Sequence, residues 1–142
     1  HTTGTTNDSD FHAAFKLTAV ENLYADVGFS MNLAANTAKK INLYGSYAID
    51  KAKIHLAGGA TLPSTGDAAI VAGLGFDYGF EGGIGVNADV RFNKPSTGAN
   101  TISFMLGVTE SLGNGLVGIA FQGANGATNF GYAIPVRFEY WF

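Results

Sequence analysis

The chain has 142 residues, of which 46% are hydrophobic and only 13% are charged, and its net charge is -3. The eight Lys and Arg residues are too few and too scattered for the basic stripe that nucleic-acid binding requires, so no nucleic-acid partner is expected. The absence of Cys excludes a disulfide scaffold and a Cys nucleophile, and the absence of a run of about 18 apolar residues excludes a transmembrane helix.

Strict alternation of apolar and polar residues predicts β-strands with two chemically different faces. The first alternating segment could also be drawn as an amphipathic helix capped by Ser9, but its unbroken alternation favours a strand. In the last segment, Pro135 lacks a ladder donor and predicts a local interruption. The nine predicted strands span 11–19, 23–32, 41–49, 54–62, 70–80, 84–92, 102–109, 117–122 and 130–142.

The connections between these strands alternate in length and composition. Four are short and begin mostly with an acidic residue, and the four between them are longer and rich in Ser, Thr, Asn and Gly. Two of the longer connections share the tetrapeptide Pro-Ser-Thr-Gly, at 63–66 and 95–98, which suggests that a hairpin was duplicated. This pattern predicts an up-and-down antiparallel sheet.

The two faces of the predicted sheet differ in an unusual way. One face carries Phe, Tyr, Ile, Leu and Val with no charged residue in any predicted strand, and the other is mostly Gly, Ala, Ser and Asn. A sheet in water normally fills its second face with Lys, Glu, Thr and Arg. The composition therefore favours an apolar face turned towards lipid and a closed transmembrane barrel, since only barrels and helices pair every backbone group in a bilayer. A soluble all-β domain is the alternative.

The end of the chain adds a motif. Ile134, Val136, Phe138, Tyr140 and Phe142 alternate down to a terminal Phe. This resembles the C-terminal strand of bacterial outer-membrane β-barrel proteins of the porin-like superfamily. The resemblance implies a bacterial outer-membrane location and recognition by the barrel assembly machinery, with Phe138, Tyr140 and Phe142 as the assembly signal.

The same resemblance orients the chain. It implies a periplasmic C-terminus, short turns on the periplasmic side and long loops outside, so residues 1–10 form an extracellular loop or N-terminal extension and 11–142 the barrel domain. Bacterial single-chain barrels have an even number of strands. With nine segments predicted, the barrel either has eight strands or comprises the C-terminal nine or so of a larger barrel.

The charged residues that point away from lipid predict the function. Small neighbours leave space around them, which favours an open lumen over a plugged one. We expect a porin-like passive channel for small hydrophilic solutes, with weak preference for cations; the alternative is a non-conducting structural or adhesive anchor with functional surface loops. Outer-membrane lipid is the expected partner, and homo-oligomerisation is compatible with the pattern. The candidate lumen-lining residues are Lys16, Asp26, Asp77, Asp89, Arg91, Arg137 and Glu139.

Other chemistry has weaker support in the sequence. The run Gly83-x-Gly85-x-x-Ala88 mimics a dinucleotide fingerprint, but that motif requires a helix where strand alternation continues. His12 and His55 lie on nonadjacent predicted strands without a third ligand, and Asn42, Ser46 and His55 have no spacing typical of a hydrolase. We therefore predict no enzyme activity, no metal and no cofactor.

Overall fold

The computed structural model describes residues 10–17, 19–32, 39–126 and 129–141. These residues form ten β-strands. In chain order they are β1 (Asp10–Leu17), β2 (Leu23–Asn32), β3 (Lys39–Ile49), β4 (Ala52–Leu62), β5 (Ala69–Gly79), β6 (Ile84–Lys94), β7 (Thr101–Leu112), β8 (Gly115–Asn125), β9 (Phe130–Ala133) and β10 (Val136–Tyr140). No helix in this part of the chain is long and apolar enough to cross a membrane.

The strands form one antiparallel up-and-down sheet in the order of the sequence. Each strand from β1 to β8 pairs with the next, and β8 pairs with both β9 and β10. The sheet is not closed, because β1 and β10 lie at its opposite ends. The all-β, up-and-down prediction is thus confirmed, and the first segment is a strand rather than the alternative helix.

β9 and β10 are two parts of one line. Ala133 lies opposite Gln122 and Val136 lies opposite Ile119, so the register on β8 is the same before and after the break. The break falls at Pro135, which has no N–H to donate to β8. The interruption predicted at this proline is confirmed, and the sheet is nine ladder positions wide.

Some predicted strands were too short. The eighth was predicted to span 117–122, whereas β8 spans Gly115–Asn125. Glycine and polar residues at its ends broke the alternation, but tertiary pairing with β7 extends the ladder through them. The last predicted strand ran to Phe142, which lies outside the described residues.

The short and long connections lie at opposite ends of the sheet, since successive strands run in opposite directions. Asp50 begins the tight turn between β3 and β4 with a φ of 51°, a left-handed conformation that Asp tolerates. The two Pro-Ser-Thr-Gly loops end alike, with Gly66 at φ 90° and Gly98 at φ 99°. These similar backbone angles support the hairpin repeat that the sequence suggested.

The hairpins are staggered across the sheet. The β3–β4 turn follows Ile49, and the β7–β8 turn follows Leu112. The residue of β7 in line with Ile49 through the intervening pairs is Val108, four residues before Leu112. The sheet edge therefore advances by one residue per strand, which corresponds to a strand tilt of about 35° at a rise of ~3.3 Å and a strand spacing of ~4.8 Å.

The described part of the chain has no hydrophobic core. None of its hydrophobic or polar side chains is buried, and its five buried residues are all glycines, namely Gly75, Gly107, Gly115, Gly118 and Gly123. The accessible surface is 10221 Å², whereas a compact monomer of this mass exposes ~7,000 Å². No second layer of secondary structure covers either face within the described residues.

The repeated loop yields a stability prediction. Gly98→Ala places a Cβ on a backbone at φ 99°, and we expect the free energy of unfolding in urea to fall by about 1–2 kcal/mol because that conformation is strained for Ala. Gly66→Ala should behave in the same way. Gly131→Ala is the control, since its Cβ would meet open space; equal losses for Gly98→Ala and Gly131→Ala would contradict the conformational explanation.

Candidate functional site on the polar face

All seven predicted lumen-lining residues lie on the same face of the sheet, here called the polar face. Lys16 lies directly opposite Asp26, and the row continues through Tyr44 to Arg91 in β6. Asp77 on β5 and Asp89 on β6 also lie on this face. Arg137 and Glu139 lie on it at the other end of the sheet, two residues apart on β10. The face assignment made from alternation is consistent with this register.

β5, in the middle of the polar face, has few side chains there, because Gly73, Gly75 and Gly79 carry none. The imidazole of His55 from β4 lies directly over Gly75. Arg91 from β6 leans over the same strand, with its Cγ 3.5 Å from where a Cβ of Gly73 would be. Side chains from both neighbouring strands thus converge above β5.

The converging side chains approach neighbouring carboxylates. His55 Nδ1 lies 3.4 Å from Asp77 Oδ2. Arg91 donates from Nε to Asp89 Oδ1 at 2.6 Å. Because Asp89 and Arg91 are two residues apart on one strand, their pair runs along the sheet surface and does not project away from it.

A second group occupies β1 to β3. Tyr24 donates its hydroxyl hydrogen to Asp26 Oδ2 at 2.7 Å, and its ring meets the ring of Tyr44 edge-on at 5.7 Å. Lys16 Nζ lies 4.9 Å from the centroid of the Tyr24 ring, which is a cation–π contact. Both charges of this group therefore contact Tyr24 of β2, and Tyr44 of β3 contacts the Tyr24 ring.

A third pair lies at the opposite end of the sheet. Arg137 donates from Nε to Glu139 Oε1 at 2.8 Å, again two residues apart on one strand. Phe138, between them in sequence, lies on the other face with Tyr140. Phe142, the third residue of the predicted assembly signal, lies outside the described residues.

Other glycines likewise leave space that polar side chains of neighbouring strands occupy. The amide of Asn87 covers Gly107, the amide of Asn42 approaches Gly59, and Thr109 lies against Gly85 and Gly118. Each glycine is on the strand next to the polar residue that covers it. The small residues of the polar face therefore let polar groups lie flat against the sheet.

An open concavity of ≈ 510 Å³ lies beside this face between β6 and β9. Its lining combines charged, polar and apolar groups, among them Asp89, Arg91, Met105, Gln122 and Tyr132. In the described part of the chain no group of three or more His, Asp or Glu residues is placed to hold a metal ion.

The pairing of His55 with Asp77 was missed in the sequence, where His55 was considered only as a metal ligand or hydrolase residue. The imidazole leans towards β5 and away from Ser46, which lies opposite His55 on β3. The glycine at position 75 was the available signal, because it leaves free space for the imidazole, whereas the register of β4 on β5 that places it opposite His55 is decided by the tertiary structure. The Gly83-x-Gly85-x-x-Ala88 run lies at the start of β6, where a strand and not a helix follows.

Comparisons with protein-family models, with curated proteins and with solved structures found no match for this chain.

The position of His55 over Gly75 yields a second prediction. Gly75→Ala would place a Cβ where the imidazole lies, so His55 must rotate away and lose Asp77, at an expected cost of about 1–2 kcal/mol in the free energy of unfolding. In a His55→Ala background the same substitution should cost less than about 0.5 kcal/mol. A double-mutant cycle measures the difference. Identical costs in both backgrounds would show that Gly75 does not provide the space that His55 occupies.

Proposed function

We propose that this chain forms the wall, or part of the wall, of a transmembrane β-barrel in a bacterial outer membrane, and that the barrel is a porin-like passive channel for small hydrophilic solutes. The apolar face of the sheet carries this proposal. It spans nine ladder positions of about eleven residues, an area of ~1,600 Å², and no protein layer covers it in the described residues. The largest apolar patch on a typical monomer is ~300–600 Å², so this face requires an apolar environment such as lipid.

The charged residues on the apolar face support a lipid-facing band. Within the described strands they are Lys39, Lys94 and Glu110, and all three lie near strand ends. Between them, on β6, the uninterrupted apolar positions run from Ile84 to Phe92. Nine residues extend ~30 Å, or ~25 Å along the membrane normal at the tilt found above, which matches the apolar band of outer-membrane barrels.

Tyrosines on the apolar face are placed as expected at a membrane boundary. Tyr47, Tyr78 and Tyr140 lie near the short-turn end of the sheet, and Tyr132 lies near the long-loop end. Tyr is enriched at this depth because its ring is apolar and its hydroxyl can reach water. These tyrosine positions therefore support an apolar band bounded at both ends.

The stagger of the hairpins supports a barrel. Closing a sheet into a barrel requires the strands to tilt by about 35–45° and the register to shift steadily around the wall. A shift of one residue per strand meets this requirement.

The polar face would then line the lumen. Its ion pairs lie along the wall and its glycines lower the surface, so the interior of a barrel built from this wall stays open to water. Four carboxylates against three basic residues among the predicted lining residues favour a weak cation preference.

The non-conducting anchor remains the second candidate. The observation in its favour is the pair of Pro-Ser-Thr-Gly loops, which lie on the same end of the sheet with similar glycine conformations. Repeated exposed loops suit a surface contact role. A protein that inserts in planar bilayers without defined conductance steps would support this candidate over the channel.

The orientation of the two faces can be tested with one pair of variants. Leu106 lies mid-strand on the apolar face and is 56% exposed. If that exposure is to lipid, Leu106→Arg should lower the free energy of unfolding in lipid vesicles by about 2–4 kcal/mol. Met105→Arg, one residue away on the polar face, should change it by less than about 1 kcal/mol.

A tolerated Leu106→Arg would contradict the proposal, because an exposed leucine in water accepts arginine without penalty. Folding of the chain as a monomer in buffer without detergent or lipid would contradict it as well. Flotation of the protein with vesicles provides the independent readout of membrane insertion.

The conducting function makes a prediction about charge. Asp89→Asn removes a carboxylate and frees the Arg91 guanidinium, so the permeability ratio should shift about twofold or more towards anions. Arg91→Gln should shift it towards cations. Reversal potentials in planar bilayers measure both, with Lys51→Gln as the control, since Lys51 pairs with Glu81 on the turns. Unchanged selectivity in both wall variants would exclude Asp89 and Arg91 from the conducting path.

A further inference from the structure

His55 lies on the polar face within the depth of the proposed apolar band. Its neighbours in sequence, Ile54 and Leu56, are exposed on the apolar face. Across the sheet His55 is in line with Asp89 of β6, and the stagger of one residue per strand makes it level with Asn87. Both of these positions belong to the apolar band on β6, so in a closed barrel the imidazole would face the lumen between its two mouths.

The imidazole contacts the wall and is also open to the polar side of the sheet. It extends from β4 over Gly75, its Nδ1 lies 3.4 Å from Asp77 Oδ2, and 26% of the side chain is exposed. Water in a lumen can therefore reach the ring and supply a proton. Histidine is the side chain whose charge ordinarily changes between about pH 5 and 8.

Charged side chains lie near His55 on its own strand and on β5 and β6. Asp77 of β5 lies beside the ring, and Lys53, the preceding residue of β4 on the polar face, lies opposite Asp77. Asp89 of β6 lies beyond β5 in line with His55, and Arg91 donates a hydrogen bond to it. The neighbourhood therefore holds two carboxylates and two basic groups besides the imidazole.

These charges cancel while the imidazole is neutral. The neighbouring polar-face residues of β3, Ser46 and Tyr44, contribute only hydroxyls. Protonation of His55 therefore changes the sum of these local charges from zero to one positive charge. A charge on the wall of an aqueous channel acts on permeating ions, because low-dielectric walls concentrate its field in the water.

We propose that His55 is a specificity-determining residue of the channel. As the pH falls from about 8 to about 5, the imidazole accepts a proton from lumen water, and the added positive charge shifts the ion preference towards anions. This inference rests on the proposed channel and adds to it a dependence of selectivity on pH. Asp77 and the space over Gly75 act as positioning groups, because they hold the ring against the sheet beside the path of the ions.

The test measures reversal potentials in planar bilayers between about pH 8 and pH 5. A chain with His1→Gln and His12→Gln keeps His55 as its only histidine. We expect its permeability ratio to shift about twofold or more towards anions over this range. His55→Gln, which keeps the other two histidines, is the matched control and should lose most of the shift.

A permanently charged variant separates charge from shape. Lysine ordinarily stays protonated up to about pH 10, so His55→Lys should have at about pH 8 the permeability ratio that the His55-only chain has at about pH 5. Its ratio should change little with pH. His55→Gln should match the His55-only chain at the upper end of the range, because both are then neutral at this position.

Titration of the ring itself connects the proton to the selectivity. The carbon signals of the His55 imidazole are followed by NMR in detergent micelles of the His55-only chain. The midpoint of their shift should coincide with the midpoint of the change in permeability ratio, because protonation of one group governs both.

Several results would overturn the inference. One is an equal pH-dependent shift in His55→Gln and in the His55-only chain. Another is a ring titration whose midpoint differs from that of the selectivity by more than about one pH unit. Defined conductance steps with pH-independent selectivity would contradict this inference and leave the proposed channel standing, whereas insertion without conductance steps would contradict both.

Discussion

The structure depends on one constraint: the apolar side chains of a nine-position sheet have no protein layer to pack against. In a globular domain the hydrophobic effect is satisfied by a core, and a buried side chain such as Leu contributes about 1.5–3 kcal/mol. Among the described residues that contribution is missing from within the chain, since the buried positions are all glycines. The stabilisation of the apolar face must therefore come from its surroundings, and in the membrane location proposed above lipid would supply it without a second sheet.

The polar face follows from the same architecture. A wall one strand thick has no interior in which charged groups could be enclosed, so they must be paired on its surface or hydrated. The glycines of β5 and of the neighbouring strands provide the room for this pairing, and His55, Arg91 and Asn87 lie over them. The ion pairs of Asp89 with Arg91 and of Arg137 with Glu139 lie along single strands. The polar face thus carries charged side chains that lie against the sheet, which suits the lining of the proposed water-filled lumen.

The two open edges of the sheet matter for the proposed membrane location. Backbone groups at an open edge are costly in hydrocarbon because no water is available to bond them. Pro135 illustrates how local sequence and architecture interact: its missing N–H weakens the ladder to β8 and leaves the opposite edge able to pair.

The sequence by itself determined the strands, their faces and their up-and-down order, because a two-residue period and turn residues such as Gly98 are local properties of the chain. It also predicted that all seven candidate lining residues share one face, since alternate residues of a strand point to the same side whichever strand they pair with. The pairing of His55 with Asp77, the seating of polar groups over glycines and the stagger of the hairpins depend on which residues of neighbouring strands are in line. That alignment was decided only by the tertiary structure, because hydrogen bonds between strands connect residues that are distant along the chain. The same alignment decides which backbone groups of β1 and of β9–β10 face the open edges of the sheet.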